Sequence, residues 1–154
     1  MSNSYGAAAA EAPVTSARYR KPMPRPDAWS KVFWQGTRDH VFLAQRDEEG
    51  NIWFPPGPVS PFTRTTKWQW MPLSGRGTVV SWVVFHQNYF PGFDEELPYN
   101  VTLVQLDEGP RIFTNMVDIA NSEIRIGMRV TVCFREVSSE LALPVFRPLA
   151  GEQA

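Results

Sequence analysis

From Ser74 to about residue 150 the chain reads as one extended segment after another, which constrains the fold more than any other feature. RGTVVSWVVFHQ, at 76–87, is rich in β-branched and aromatic residues and predicts one long strand. YNVTLVQL and RIFTNMVDI predict two more, joined tightly by DEGP, where Gly109 can take a positive φ. NSEIRIG predicts a connecting turn or a single helical turn. MRVTVCFREV then alternates, with Val130, Val132 and Phe134 on one face and Thr131, Cys133 and Arg135 on the other. SSE turns the chain and LALPVF supplies a fifth strand. Five strands, a long first one and an interruption between the third and fourth predict an OB-type barrel over 74–150, with a two-sheet sandwich as the alternative.

The first half is organised differently. Residues 1–24 are small, polar and proline-broken, and predict a flexible tail that is extended through KPMPRP. The segment 25–37 predicts a short helix, with Asp27 as N-cap, Ala28, Trp29, Val32 and Phe33 on one face, and Gly36 at its end. From 38 to 73 the period becomes extended. VFLAQ and NIWF flank the turn DEEGN as a hairpin, PPGPVSP follows, and KWQWMPL predicts a further strand. Within this unit QRDEEGNIWFPPGPVSPFT has the outline of two turns facing each other across a double proline. Turns so arranged usually grip a metal, yet this stretch has no cysteine and no histidine.

Composition excludes several functions. Fifteen basic against sixteen acidic residues supply no field for a polyanion, so tryptophans that could stack on bases lack the basic groove that holds a nucleic-acid backbone. The apolar run VVSWVVF at 79–85 is far short of the ~20 residues of a membrane-spanning helix. The N-terminus lacks the basic and apolar regions of a secretory signal, so a cytoplasmic protein is expected. No nucleophile elbow, zincin, P-loop or dinucleotide-binding motif is present. The single cysteine, Cys133, falls mid-strand, and His40 and His86 fall at strand ends, so no catalytic set is expected. The acidic clusters at 47–49, 94–96 and 107–108 read as solvated turns. Two aromatic groups stand out instead as a partner or ligand surface: Trp29, Phe33 and Trp34 in the helix, and Tyr89, Phe90 and Phe93 in the loop 88–99.

Several local patterns occur together, in order, between Arg25 and Pro148: PDAWSKVFWQG, WFPPGPVSP, SGRGTVVSW, PYNVTLVQLDEGPRIFTNMVD, IGMRVTVCF and LPVFRP. In these the chain resembles the family of small zinc-ribbon/OB-fold proteins associated with acyl-CoA metabolism. The resemblance implies an N-terminal helical segment, a rubredoxin-like ribbon and an OB barrel. It also implies a role as accessory subunit to a thiolase, a thiolase-like aldolase or acyltransferase, a hydroxymethylglutaryl-CoA synthase or a hydratase. In such hetero-oligomers the partner supplies the catalytic groups and the OB protein helps shape the acyl-CoA passage.

The expected function is therefore that of a non-catalytic subunit bound to a thiolase-superfamily partner, in lipid, steroid or aromatic acid metabolism. Partnership with an acyl-CoA hydratase is the alternative, and a single-stranded nucleic-acid module a remoter one. Arg76, Arg135 and Arg147 are the phosphate candidates, each with surface solubilisation as its simpler role. One departure is plain. The family's four zinc-ligand positions fall at Arg46, Glu49, Ser60 and Thr63, none a thiol, while Gly50, Pro55, Pro56 and Pro61 remain. A structural zinc site closes with four thiolates or imidazoles. The expectation is a ribbon without zinc, stapled by Trp53, Phe54, Phe62 and Trp68, with a small contribution from an Arg46–Glu49 ion pair.

Overall fold

A computed structural model describes residues 19–151. Residues 1–18, most of the expected tail, lie outside the described residues. The elements are helix α1 (Lys31–Arg38) and strands β1 (Leu43–Asp47), β2 (Ile52–Trp53), β3 (Trp68–Pro72), β4 (Arg76–Phe85), β5 (Tyr99–Leu106), β6 (Arg111–Thr114), β7 (Arg129–Ser138) and β8 (Leu141–Pro148). No helix among the described residues is long and apolar enough to cross a membrane.

Strands β4–β8 form one antiparallel sheet in the order β6-β5-β4-β7-β8. The sheet curls because β4 serves two neighbours. Its first residues, Arg76–Thr78, pair with β7, while its whole length pairs with β5 through a bulge between Val79 and Ser81. The two edges then meet through a parallel bridge between Met116 and Phe146, closed by Val117 N–H to Phe146 O at 2.8 Å and Phe146 N–H to Asn115 O at 3.0 Å. That order and closure are those of an OB barrel, as the strand pattern predicted. The interruption between the third and fourth barrel strands holds a single 3-10 turn, Asn121–Glu123.

The turn after β5 is locked to β7. Arg129 donates to both carboxylate oxygens of Asp107 at 2.7 Å and to Thr78 Oγ1 at 2.9 Å. These hydrogen bonds hold the Asp107 carboxyl below its ordinary value. A double-mutant cycle on Asp107→Asn and Arg129→Lys is expected to give a coupling of about 1 kcal/mol in urea unfolding, since the pair is bidentate but partly solvated. A coupling near zero would make the pair a surface ornament.

The second sheet is small, in the order β2-β1-β3, all antiparallel. It is the predicted ribbon hairpin with the KWQWMPL strand added. Helix α1 packs against β1 and the β7–β8 hairpin. It starts later than the sequence suggests. Asp27 Oδ1 accepts N–H bonds from Trp29 at 3.0 Å and Ser30 at 2.7 Å, which caps a lead-in turn rather than the helix itself. Gly36 does not end the helix. A Cβ there would stand 2.7 Å from Leu43 Cδ1, so glycine lets the following chain fold back closely. The helix stops at His40, whose φ of 58° places it in the left-handed region. Val41 N–H bonds to Gly36 O at 2.8 Å and His40 N–H to Thr37 O at 3.1 Å, the two bonds of a Schellman cap.

Ribbon and barrel share one core. Phe33, Phe42, Ala44 and Leu73 from the first half form a single buried cluster with Val79, Val104, Ile112, Val130 and Phe146 from the barrel.

Candidate protein-interaction site

The ribbon's two turns are joined by side chains of β1. Its burial pattern puts Gln45 and Asp47 inward, on one face, and Arg46 outward. Gln45, wholly buried, clamps the proline turn at two points: Nε2 donates to Gly57 O at 3.0 Å, and Oε1 accepts from Gly57 N–H at 2.7 Å. Asp47, 5% exposed, sits between the turns. Its Oδ1 accepts N–H bonds from Glu49 at 3.1 Å and Asn51 at 2.9 Å, which shapes the first turn. Its Oδ2 accepts the Ser60 hydroxyl at 2.7 Å, across to the second. Ser60 Oγ in turn accepts N–H bonds from Phe62 and Thr63, each at 3.2 Å. Burial pushes the Asp47 carboxyl up, but the bonds from Ser60, Asn51 and Glu49 outweigh it and hold the group below its ordinary value.

This donor set does not fit a zinc ion. Arg46 is a cation pointing outward, and the Ser60 hydroxyl is committed to Asp47. No group of three or more histidine, cysteine, aspartate or glutamate side chains among the described residues could hold a metal. Sequence reasoning missed Asp47 as the hub, although an aspartate opening a D-x-x-G turn is a recognised signal for side-chain-to-backbone bonding.

The aromatic expectations divide. Trp53 and Trp68 meet edge to face at 6.4 Å, Trp68 continues to Trp70 at 5.8 Å, and Trp68 Nε1 donates to Pro58 O at 3.0 Å. Phe54 turns away from the knuckles onto Phe33 at 5.1 Å and Phe42 at 5.6 Å. Phe62 is exposed and makes no ring contact among the described residues. No ion pair joins Arg46 to Glu49 among the described residues; Lys67 faces Glu48 instead, at 3.7 Å. Polar bonds therefore do much of the stapling expected of aromatic rings.

The two predicted docking groups also separate. Phe33 is 3% exposed, in the chain's own core, because the inner face of α1 covers the ribbon–barrel junction. Trp34 packs half-buried beside it, with ring centroids 5.0 Å apart, and Trp29 stands exposed. In the loop between β4 and β5, Tyr89 and Phe90 are 60% and 62% exposed, while Phe93 is half-buried. Ring contacts run from Phe93 to Tyr99 at 5.3 Å, to Phe85 at 5.2 Å and on to Tyr89 at 5.9 Å.

The apolar surface extends onto the sheet. Phe85 pairs with Tyr99 and Val83 with Val101, and the next row is Ser81, Leu103 and Phe113. Val83 and Phe113 are strongly exposed. Neither was singled out from the sequence, though alternation in RIFT turns Phe113 opposite to the buried Ile112.

The remaining candidates have structural partners. Besides capping α1, His40 stacks on Phe134 at 5.3 Å and approaches Glu136 at 3.7 Å. His86 is exposed. Cys133 lies opposite Val145 in the β7–β8 ladder, and burial pushes its thiol above the ordinary value, which keeps it protonated at neutral pH. Arg135 faces Glu96 at 3.7 Å, Arg147 faces Asp118 at 3.9 Å, and Arg76 is exposed at the start of β4. An open groove lined by Asp118, Ile119, Glu123, Arg125 and Met128 shares no residue with the aromatic surface.

Comparison with known proteins agrees with this architecture. The family model described as the ChsH2 C-terminal OB-fold domain matches residues 70–135. A probable enoyl-CoA hydratase alpha subunit of Thermomonospora curvata is 43% identical over 99 residues, which are 64% of this chain but 30% of that protein. This chain thus spans less than a third of that relative's length. A DUF35 domain-containing scaffold protein of Pyrococcus furiosus is 30% identical over 106 residues, 68% of this chain and 77% of that one. Among solved structures, a chain of the Ltp2-ChsH2(DUF35) aldolase superposes with a TM-score of 0.74 at 35% identity, covering 82% of this chain and 98% of its own. A barrel closed between Met116 and Phe146, a small ribbon sheet before it, and a similarity that takes in both give one conclusion: the chain belongs to the DUF35 family, with the OB-fold domain of the ChsH2 type.

Proposed function

We propose that this chain is a non-catalytic accessory subunit of an acyl-CoA-processing complex. It binds a thiolase-superfamily partner in a hetero-oligomer and helps shape the acyl-CoA passage. The observation that carries this reading is the match, over 98% of that chain's length, to a chain of the Ltp2-ChsH2(DUF35) aldolase. Tyr89 and Phe90 are exposed, and Tyr89 is continuous through its edge contact with Phe85, itself stacked on Tyr99, with the apolar outer face of β4–β6; both support this face as a docking surface for a protein partner. Trp29 is the second contact candidate.

Co-expression with a candidate thiolase-superfamily partner from the same organism should give a complex that survives size-exclusion chromatography. Tyr89→Ala and Phe90→Ala should each weaken it about tenfold. A chain that never co-elutes with that partner overturns the reading. A hydratase partner is the second reading, favoured by the relative named as a probable enoyl-CoA hydratase alpha subunit. The same experiment with a candidate hydratase chain separates the two. The ribbon, in this reading, has lost its zinc site and works through the Asp47–Ser60 bond. Metal analysis of purified protein should find well under one zinc per chain, and a stoichiometric zinc would refute the loss.

A further inference from the structure

The first described residues, Tyr19–Lys21, lie across the loop between β4 and β5. The approach is backbone on backbone: at Gly92, φ 89°, an added Cβ would stand 2.7 Å from the carbonyl carbon and oxygen of Arg20. Only glycine leaves room for the chain to pass there in that conformation. Beside this crossing the Lys21 side chain is 9% exposed, burial that lysine rarely accepts without a partner. Its ammonium pairs with Glu96 and lies 4.8 Å from the centroid of Phe93 and 5.9 Å from that of Tyr19. Glu96 also faces Arg135 of β7, so one carboxylate ties the segment, the loop and the barrel together. From Phe93 the ring contacts lead through Tyr99 and Phe85 to Tyr89.

We propose that Tyr19–Lys21 is a strap that holds the aromatic loop 88–98 in a preformed shape, with Lys21 as the positioning residue for the presentation of Tyr89 and Phe90. A loop ordered before encounter spares the complex the entropy of ordering it on binding. The docking half of this proposal rests on the partner reading above; the strap itself does not.

Amide hydrogen exchange on the full chain, alone and then with its partner, tests both. In Lys21→Met, which keeps the apolar stem and removes the charge, exchange across 88–98 should quicken at least tenfold while amides of β4, β5 and β7 stay unchanged. Lys21→Arg, which keeps the cation, should stay within about twofold of the wild type. Arg20→Ala, which removes the exposed pair with Glu95, should leave the loop as it is. Lys21→Met should also weaken the complex about tenfold, whereas Phe90→Ala, at an exposed ring outside that chain of contacts, should weaken it with loop exchange unchanged. Unaltered loop exchange in Lys21→Met overturns the strap whatever the partner does. A loosened loop with undiminished affinity overturns its role in docking. A wild-type chain that binds no partner removes that docking role together with the functional reading, and the exchange result still decides the strap.

Discussion

Phe42→Ala should lower the stability of the whole chain by about 3–5 kcal/mol, the range for emptying a fully buried phenylalanine site. Phe42 is 2% exposed and lies where ribbon, helix and barrel meet. Its ring touches Phe33 at 5.6 Å and Phe54 at 5.6 Å, and its carbonyl accepts Leu73 N–H at 2.8 Å, just before the barrel begins. Because these residues belong to one core, ribbon and barrel should unfold together. Tryptophan fluorescence, weighted toward the ribbon by Trp53, Trp68 and Trp70, and far-ultraviolet dichroism, weighted toward the barrel, should give coincident urea transitions in the wild type and in the variant. An earlier fluorescence transition would mean that the ribbon is an independent unit.

Ser60→Ala should cost about 2–3 kcal/mol, because the buried Asp47 carboxylate loses its 2.7 Å hydroxyl bond, keeping only the Asn51 side-chain amide at 3.1 Å on Oδ2, while two turn N–H groups lose their acceptor. Acid should amplify the loss. The folded Asp47 carboxyl lies below its ordinary value, so its charged form stabilises the fold. That contribution is complete above the unfolded pKa, about 3.9, and disappears as pH falls through the lower folded value. Asp107, held low chiefly by Arg129, acts with the same sign. Removing the Ser60 hydroxyl raises the folded value of Asp47, so acid unfolding of the variant should begin at a higher pH. Asp47→Asn, which cannot titrate, should lose its share of the acid dependence. Equal acid midpoints for wild type and Ser60→Ala would show that Asp47 is not the hub of the ribbon.

Much of the barrel was legible because alternation is a local signal. Ile112 inside and Phe113 outside, or Val104 inside and Leu103 outward, follow from neighbouring residues on a pleated strand. The bulge that curls β4 was not legible, since RGTVVSWVVF alternates too weakly to reveal where one residue is extra. His40, legible in the sequence only as a residue at a strand end, is a helix cap, a role set by its left-handed φ. Phe33 and Trp29 looked alike on one amphipathic face. Burial separates them, because the inner side of α1 rests on the chain's own core.

By itself the sequence determined the run of strands, an OB barrel or a sandwich as their architecture, and the absence of thiol ligands at the knuckles, while the closure between Met116 and Phe146 decided for the barrel. Only the tertiary structure decided what holds those knuckles and what is left for a partner. The bonds concerned join Gln45 to Gly57, Asp47 to Ser60 and Lys21 to Glu96, groups brought together by the fold rather than by chain neighbourhood. Strand pattern is written at a period of two residues, whereas a buried hydrogen bond or ion pair depends on ångström distances between segments that the pattern does not relate.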